Sequence, residues 1–577
     1  MNRNTLSLGA LILLAVGAFG LNVSRAERMG VFRDMPGWVV DAIPAALTQI
    51  HRPDLPRYTI ATKIRDLYYL PIAAAELNAR IATISAADLS SSTGYVLLGN
   101  DDKGIVDFVE WAFRLLGPYA QSIPRLYYGL LGLSVMLFIV SFRNRPVHLA
   151  AAACVLFASY QVLPYTVMNS QLGSPLALRC MPLLSLVACL HVTLQSTRRS
   201  FLWTDALILA PQALLIVAVI HMRMTAMWQV LPIVSVALGA AVLRWRGGEP
   251  VRLSALASPA LSVLVVLASL AGLSAYRNVA FSAEYQAGQQ IMTRVKWHNV
   301  YSGFALNPTL ARERDLRIDD ASIVRDVGRY LERSGKVQAW REMGGETENF
   351  SSLKWAAYDQ AALDALRALC IDEPARCLTT FLIYKPYHIA SCMLWFYGLS
   401  PMPAVMSAFA SPHVGNVLVD ELNGMTKKLR DRGLSAAPWA INSLLFVALL
   451  TGLLLLAESA PLRLAPTVAS MGLIAAASLA PSILGYPAPH AMVDSVASIN
   501  AALQFGMAVF LSRRPWLRHY AEARSVSTKR WFNANSRGLV ARRGITAREV
   551  RWQPAVVPLL AGVHTSELVS GQSIRNG

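Results

Sequence analysis

Three aspartates stand close together in Gly99–Phe113, GNDDKGIVDFVEWAF: Asp101 and Asp102 are adjacent and Asp107 follows. An aspartate at the edge of an apolar segment is partly desolvated. That raises its proton affinity toward the range a general base needs. The same residues also suit a helix start, with Asp102 as N-cap of a helix over 105–116 and Asp107 on its first turn. Ile105, Phe108, Val109, Ala112 and Leu116 would form the apolar stripe of that helix, and Glu110 would pair with Arg114. Asp34 and Asp41 are rival acids nearer the N-terminus. Arg179 lies about one turn inside the apolar stretch PLALRCMPLLSL. A guanidinium there needs a partner: the oxygens of a phosphate match it bidentately, and snorkelling to an interface is the alternative.

Three further stretches carry chemistry-bearing side chains. KWHNVYSGFALNP (296–308) has no clean helical or strand period, yet holds Lys296, Trp297, His298, Asn299 and Tyr301. It suits phosphate or sugar contacts, or an interfacial aromatic belt with a turn ended by Gly303. In YPAPHAMVD (486–494), His490 and Asp494 are four apart and can share one helix face. They could contact a phosphate or hydroxyls, or form an i,i+4 pair at a helix start after Pro489. Lys385 and His388, in YKPYH, suit headgroup anchoring. Cys370 and Cys377 flank IDEPAR and are candidates for a disulfide; the other cysteines sit in apolar stretches and read as small core hydrophobes. There is no CxxC or HExxH, which argues against a zinc ribbon or a zincin.

The elements that must position these residues are membrane spans. Of 577 residues, 54% are hydrophobic and 15% charged, well below the charge density of a soluble domain. Apolar runs occupy about 5–23, 126–142, 147–168, 175–196, 202–221, 224–243, 254–276, 437–457, 464–485 and 491–512. The first reads as an uncleaved anchor, although Ser24-Arg25-Ala26 resembles a signal-peptidase site. The connectors FRNRP, STRRS and RWRGGEPVR are arginine-rich and the alternating connectors are not. By the positive-inside rule both termini are then cytoplasmic and 27–125 and 277–436 lie outside. Residues 387–410, interrupted by SPMP, read as interfacial or re-entrant rather than as an eleventh span.

Charge placement agrees with that topology. Residues 27–125 hold 10 Lys and Arg against 11 Asp and Glu, and 276–386 hold 15 against 14. The tail, 513–577, holds 12 against 3, so much of the net charge of +18 is assigned to the cytoplasmic side. Anionic lipid explains such a tail more simply than nucleic acid does. In the outer region the aspartates of DDASIVRDVGRYLERS (319–334) cap a helix with Ile323, Val327, Tyr330 and Leu331 on one stripe. A second amphipathic helix covers 351–369, and a Cys370–Cys377 bridge would tie its end to the next helix.

The expected architecture is therefore all-α and polytopic. It comprises an anchor (1–26), a first outer loop with juxtamembrane helices (27–125), a six-span block (126–276) and an outer helical domain (277–436). Three terminal spans (437–512) and a basic cytoplasmic tail (513–577) complete it. This layout resembles the GT-C superfamily of membrane glycosyltransferases, and WHNVYSG is similar to stretches in bacterial membrane proteins of that layout. The resemblance implies a polyprenyl-phosphate sugar as donor and an exported glycan, lipid or protein as acceptor. It also implies a bacterial inner-membrane location, an acidic base in the first outer loop, and a divalent cation in some members. It points to Asp101, Asp102 or Asp34 as the base, Asp34 because the superfamily's acid often lies soon after the first span. Arg179, with Lys296, His298, His490 or Asp494, would bind the donor phosphate. A transporter and a non-enzymatic envelope assembly protein are the competing classes. The transporter reading needs polar groups at mid-membrane on broken helices, or paired repeats.

Overall fold

In the computed structural model the described residues are 38–68, 80, 94–97, 102–117, 122–162, 175–198, 203–246, 253–281, 296–345, 353–396, 437–457, 464–485 and 492–514. Asp34, Asp101, His490, the 5–23 run and the basic tail lie outside them. The described chain is helical apart from one two-stranded antiparallel sheet, Thr59–Ala61 with Tyr95–Leu97. Among the described residues six helices are long and apolar enough to cross a membrane: Arg125–Phe142, Thr204–Met222, Met224–Arg246, Leu256–Ala280, Leu464–Leu484 and Val493–Ser512. Shorter apolar helices, Pro146–Ser159, Leu186–Gln195 and Ser443–Leu455, fall where three more spans were expected. The protein is a polytopic helical membrane protein.

One apolar core joins the bundle, and Val493–Ser512 is the most enclosed of the six candidate spans, packed on Pro146–Val162, Leu464–Ser478 and Ala437–Ala457. Some polar side chains inside the bundle are partnered across helices. Gln161 Oε1 accepts from Asn500 Nδ2 at 2.5 Å and from Gln504 Nε2 at 2.9 Å. Gln212 exchanges hydrogen bonds with Ser134 and meets His191 Nδ1 at 2.9 Å. The expected 175–196 span is broken: helix Pro175–Leu184 stops at Ser185 and helix Leu186–Gln195 restarts. Gln229 patches the break, donating from Nε2 to the Pro182 carbonyl (2.9 Å) and accepting from Ser185 Oγ (2.8 Å).

The helix expected at 105–116 runs Gly104–Leu116 and packs against Trp38–His51. Ile105, Phe108, Val109 and Ala112 are buried, as the stripe requires, whereas Leu116 is exposed. Each large apolar side chain so buried contributes roughly 1.5–3 kcal/mol. Asp102 does not cap this helix. The N-cap position is Lys103, without a side-chain cap bond, and the Asp102 carboxylate is engaged elsewhere.

A second core holds the polar helical domain. Asp319 caps helix Asp320–Arg333 by accepting from the Ser322 N–H at 2.6 Å, and Ile323, Val327 and Leu331 are buried. Helix Trp355–Asp372 runs up to the Cys370–Cys377 disulfide, whose Cα atoms are 5.2 Å apart, and Pro374–Thr379 follows. The aperiodic WHNVYSGFALNP stretch is helical over Trp297–Ser302 and 3-10 over Gly303–Leu306. Its helix needs no period of its own, because the Asp359 carboxylate accepts from the backbone N–H groups of Lys296, Trp297 and His298. Gly303 is a point of close approach: a Cβ there would lie 2.4 Å from Lys385 Cε and 2.5 Å from the Gly485 carbonyl oxygen.

Candidate functional site

The ionisable side chains of the bundle concentrate where helix Gly104–Leu116 meets the ends of Trp203–Met222 and Leu253–Ala280. Close approach is built in at Gly104, where a Cβ would lie 2.5 Å from the His221 carbonyl carbon and oxygen. Asp107, one turn further on, is the hub. Its Oδ1 accepts from Arg57 Nη2 (2.7 Å) and Nε (3.2 Å). Its Oδ2 accepts from His221 Nε2 (2.7 Å), Tyr58 OH (2.9 Å) and Tyr276 OH (3.1 Å). Arg277 donates to His221 Nδ1 from Nε (3.1 Å) and Nη2 (3.0 Å), so Nδ1 is the acceptor. Nε2 is thereby assigned as the ring nitrogen that donates to Asp107.

Burial works to raise the proton affinity of Asp107, but the His221 hydrogen bond and the Arg57 guanidinium outweigh it and hold the carboxyl below its ordinary value. Asp107 is an anion at neutral pH with both oxygens engaged, and so a poor base. Arg57 also meets Glu110 Oε2 at 2.8 Å, and Glu110 Oε1 accepts from Arg114 Nε at 2.8 Å, the i,i+4 pair expected from sequence. Tyr58, fully buried, has φ 62°. A bulky residue in the left-handed region carries local strain on the order of 1 kcal/mol or more, and such strain clusters at functional sites.

Two more carboxylates meet one short turn, the 3-10 segment Met224–Gln229 and the Arg223 before it. Asp102 Oδ2 accepts from Arg223 Nη1, and Oδ1 from the Met224 N–H at 3.4 Å. Asp494, on the first turn of helix Val493–Ser512, accepts from the Trp228 indole N–H at 2.7 Å and from the Ser495 N–H at 3.0 Å. No cation is hydrogen-bonded to the buried Asp494 among the described residues, although the Arg223 charge is near enough to act on it. Both aspartates face a turn that also brings a guanidinium. That arrangement can take a proton on one carboxylate and hold an anion on the arginines.

The sequence-derived candidates are distributed as follows. Asp102 and Asp494 are brought to the same turn. Asp34, Asp101 and His490 lie outside the described residues; the helix that follows His490 starts at Val493, not after Pro489. Arg179 is in helix Pro175–Leu184 and Asp41 in Trp38–His51, and their side chains are outside the described set. Lys296 and His298 belong to the polar helical domain. His298 is buried in it, with Nδ1 on Tyr358 OH (2.7 Å) and Nε2 on Asp320 Oδ1 (3.0 Å), so both ring nitrogens are satisfied there. Lys385 is fully buried rather than at a headgroup position. Among the described residues no three His, Cys, Asp or Glu side chains group to hold a metal ion.

Arg57, Tyr58, His221, Arg223, Trp228, Tyr276 and Arg277 were not singled out from sequence. A signal existed: His221, Arg223 and Arg277 all punctuate the ends of apolar helices, where ionisable residues are functional candidates. No protein-family model, no curated protein and no solved structure matches the chain.

Proposed function

We propose that the chain is a GT-C-like membrane glycosyltransferase of a bacterial inner membrane. Ten spans would place both termini in the cytoplasm and the polar helical domain outside. The reaction moves a sugar from a polyprenyl-phosphate donor to an exported glycan, lipid or protein. The observation that carries this reading is the meeting of Asp102 and Asp494 at the Arg223–Gln229 turn, next to the Arg57, His221 and Arg277 cluster. Asp494, the carboxylate without a hydrogen-bonded cation, takes the acceptor hydroxyl proton as that oxygen attacks the anomeric carbon. The bond from sugar to phosphate breaks, and the polyprenyl phosphate leaves as an anion held by Arg223 and Arg277. Asp102 positions Arg223. Asp34 and Asp101 remain rival bases and Arg179 a further phosphate ligand.

The test is a thermal-shift titration of the detergent-solubilised protein with polyprenyl monophosphate, paired with surface-glycan profiles of cells carrying single variants. Wild type should be stabilised by the lipid and Arg277→Ala should not. Asp494→Asn should keep lipid binding and lose glycan. Wild-type glycan in Asp494→Asn, Asp102→Ala, Asp101→Ala and Asp34→Ala alike, each folded, would remove the catalytic assignment of all four acids.

A second reading, lipid or solute transport, draws on the helix break at Ser185 and on the buried Gln161–Asn500–Gln504 cluster. It predicts loss of function in Gln161→Leu with the arginine variants unaffected.

A further inference from the structure

From Cys377 to Phe396 the only charged side chain is Lys385, and it is buried. The segment comprises the end of helix Pro374–Thr379, a π-turn over Thr380–Tyr384 and helix Lys385–Phe396. It has two faces. Phe381, Lys385, Ile389 and Cys392, three or four residues apart, point into protein: Phe381 packs on the core of the polar domain, Ile389 and Cys392 on the core of the bundle. Leu378, Leu382, Ile383, Tyr387 and Leu394 point out, exposed by 60%, 65%, 57%, 67% and 45%. Leu382 and Tyr387 are five apart, and the i→i+5 bonding of the intervening π-turn brings residues at that spacing to one side. This is an inverted amphipathic helix: its covered face carries the charge and its open face is apolar.

The level of the open face is set by the covered one. Lys385 Nζ donates to the carbonyl oxygens of Ile483 and Leu484, at the end of the candidate span Leu464–Leu484. Leu484 is itself 60% exposed. The open face is therefore continuous with the outward apolar surface of a span, where acyl chains give way to headgroups. We propose that the Leu378–Leu394 face is a monotopic membrane contact, buried in the bilayer interface beside the Leu464–Leu484 span, and that it fixes the polar helical domain on the membrane surface. The occupant is lipid, because the face joins the exposed apolar end of a candidate span, carries no charge, and has as its polar group the Tyr387 hydroxyl, which suits the headgroup level.

The test uses the full-length chain in phosphatidylethanolamine–phosphatidylglycerol vesicles, with a nitroxide label on Leu382→Cys, Tyr387→Cys or Arg325→Cys. Background labelling is low because Cys154, Cys180, Cys189 and Cys392 are buried. Labels at 382 and 387 should relax with oxygen and be at least fivefold less accessible to an aqueous nickel chelate than the label at the exposed Arg325 position. Equal chelate access at all three sites would overturn the proposal. So would protection of 382 and 387 from both oxygen and chelate, because that marks a protein cover. The two interfacial sites check each other: if either variant unfolds, the other carries the measurement.

Discussion

Replacing Lys385 by methionine isolates the energetics of one buried charge. Its ammonium is fully enclosed and bonded to the Ile483 and Leu484 carbonyls at 3.1 and 2.9 Å, with the Phe381 ring centre 4.1 Å away. Burial pushes its proton affinity down from the ordinary 10.5 to about 7. The unfolded chain keeps that proton to about pH 10.4. Between pH 7 and 10 the unfolded state thus binds one more proton than the native state. Stability rises with pH across this window, by up to about 1.4 kcal/mol per unit. Below pH 7 both states are protonated and the slope from this residue vanishes. The full penalty of the buried charge then stands, on the order of 5 kcal/mol as an upper bound.

Methionine has a similar stem and no proton, so Lys385→Met removes the penalty together with the two hydrogen bonds. Leaving the carbonyls without donors costs about 1–3 kcal/mol. At pH 9 the remaining penalty, about 2 kcal/mol, offsets that cost, so the variant should match wild type there and be more stable by about 2–4 kcal/mol at pH 6. Thermal unfolding in nanodiscs at the two pH values, read as the difference between variant and wild type, checks this. Groups common to both proteins cancel in the difference. His388, whose proton affinity burial also lowers, contributes its own slope only below about pH 6.5. A difference of the same sign and size at both pH values would refute the reasoning.

Asp107→Ala should destabilise by about 2–4 kcal/mol, because it leaves the buried His221 N–H and Tyr58 hydroxyl without their acceptor, while the half-buried Arg57 keeps Glu110; a melt in detergent measures it. Gly104→Ala forces a methyl onto the His221 backbone, which cannot rotate away as a side chain could. A loss of about 3 kcal/mol is expected, against less than 0.5 kcal/mol for Gly129→Ala, where nothing lies within 4 Å of the added carbon.

Much of the architecture could be read from local pattern. Helix Asp320–Arg333 has its cap, its first-turn acid and its stripe within fourteen residues, so nothing distant was needed to predict it. The amphipathic helix expected over 351–369, which forms over Trp355–Asp372, and the bond between Cys370 and Cys377 follow from the same kind of local order. What escaped was decided by partners far along the chain. Asp102 looked like a cap until Arg223, 121 residues away, took its carboxylate. WHNVYS looked irregular because the group that starts its helix, Asp359, is more than 60 residues downstream. His298 looked available because neither Tyr358 nor Asp320 is visible as its neighbour in sequence. Tyr58 gave no warning at all: nothing in RPDLPRYTI marks a left-handed tyrosine, which a glycine would have done.

The turn Arg223–Gln229 commits three side chains to three different helices. Arg223 holds Asp102 before the Gly104 helix, Trp228 holds Asp494 at the head of the last described helix, and Gln229 closes the break at Ser185. Seven residues of backbone therefore tie those helices to one another. A substitution that alters the course of that backbone would reach the Asp102 contact, the Asp494 contact and the splint across the broken span together.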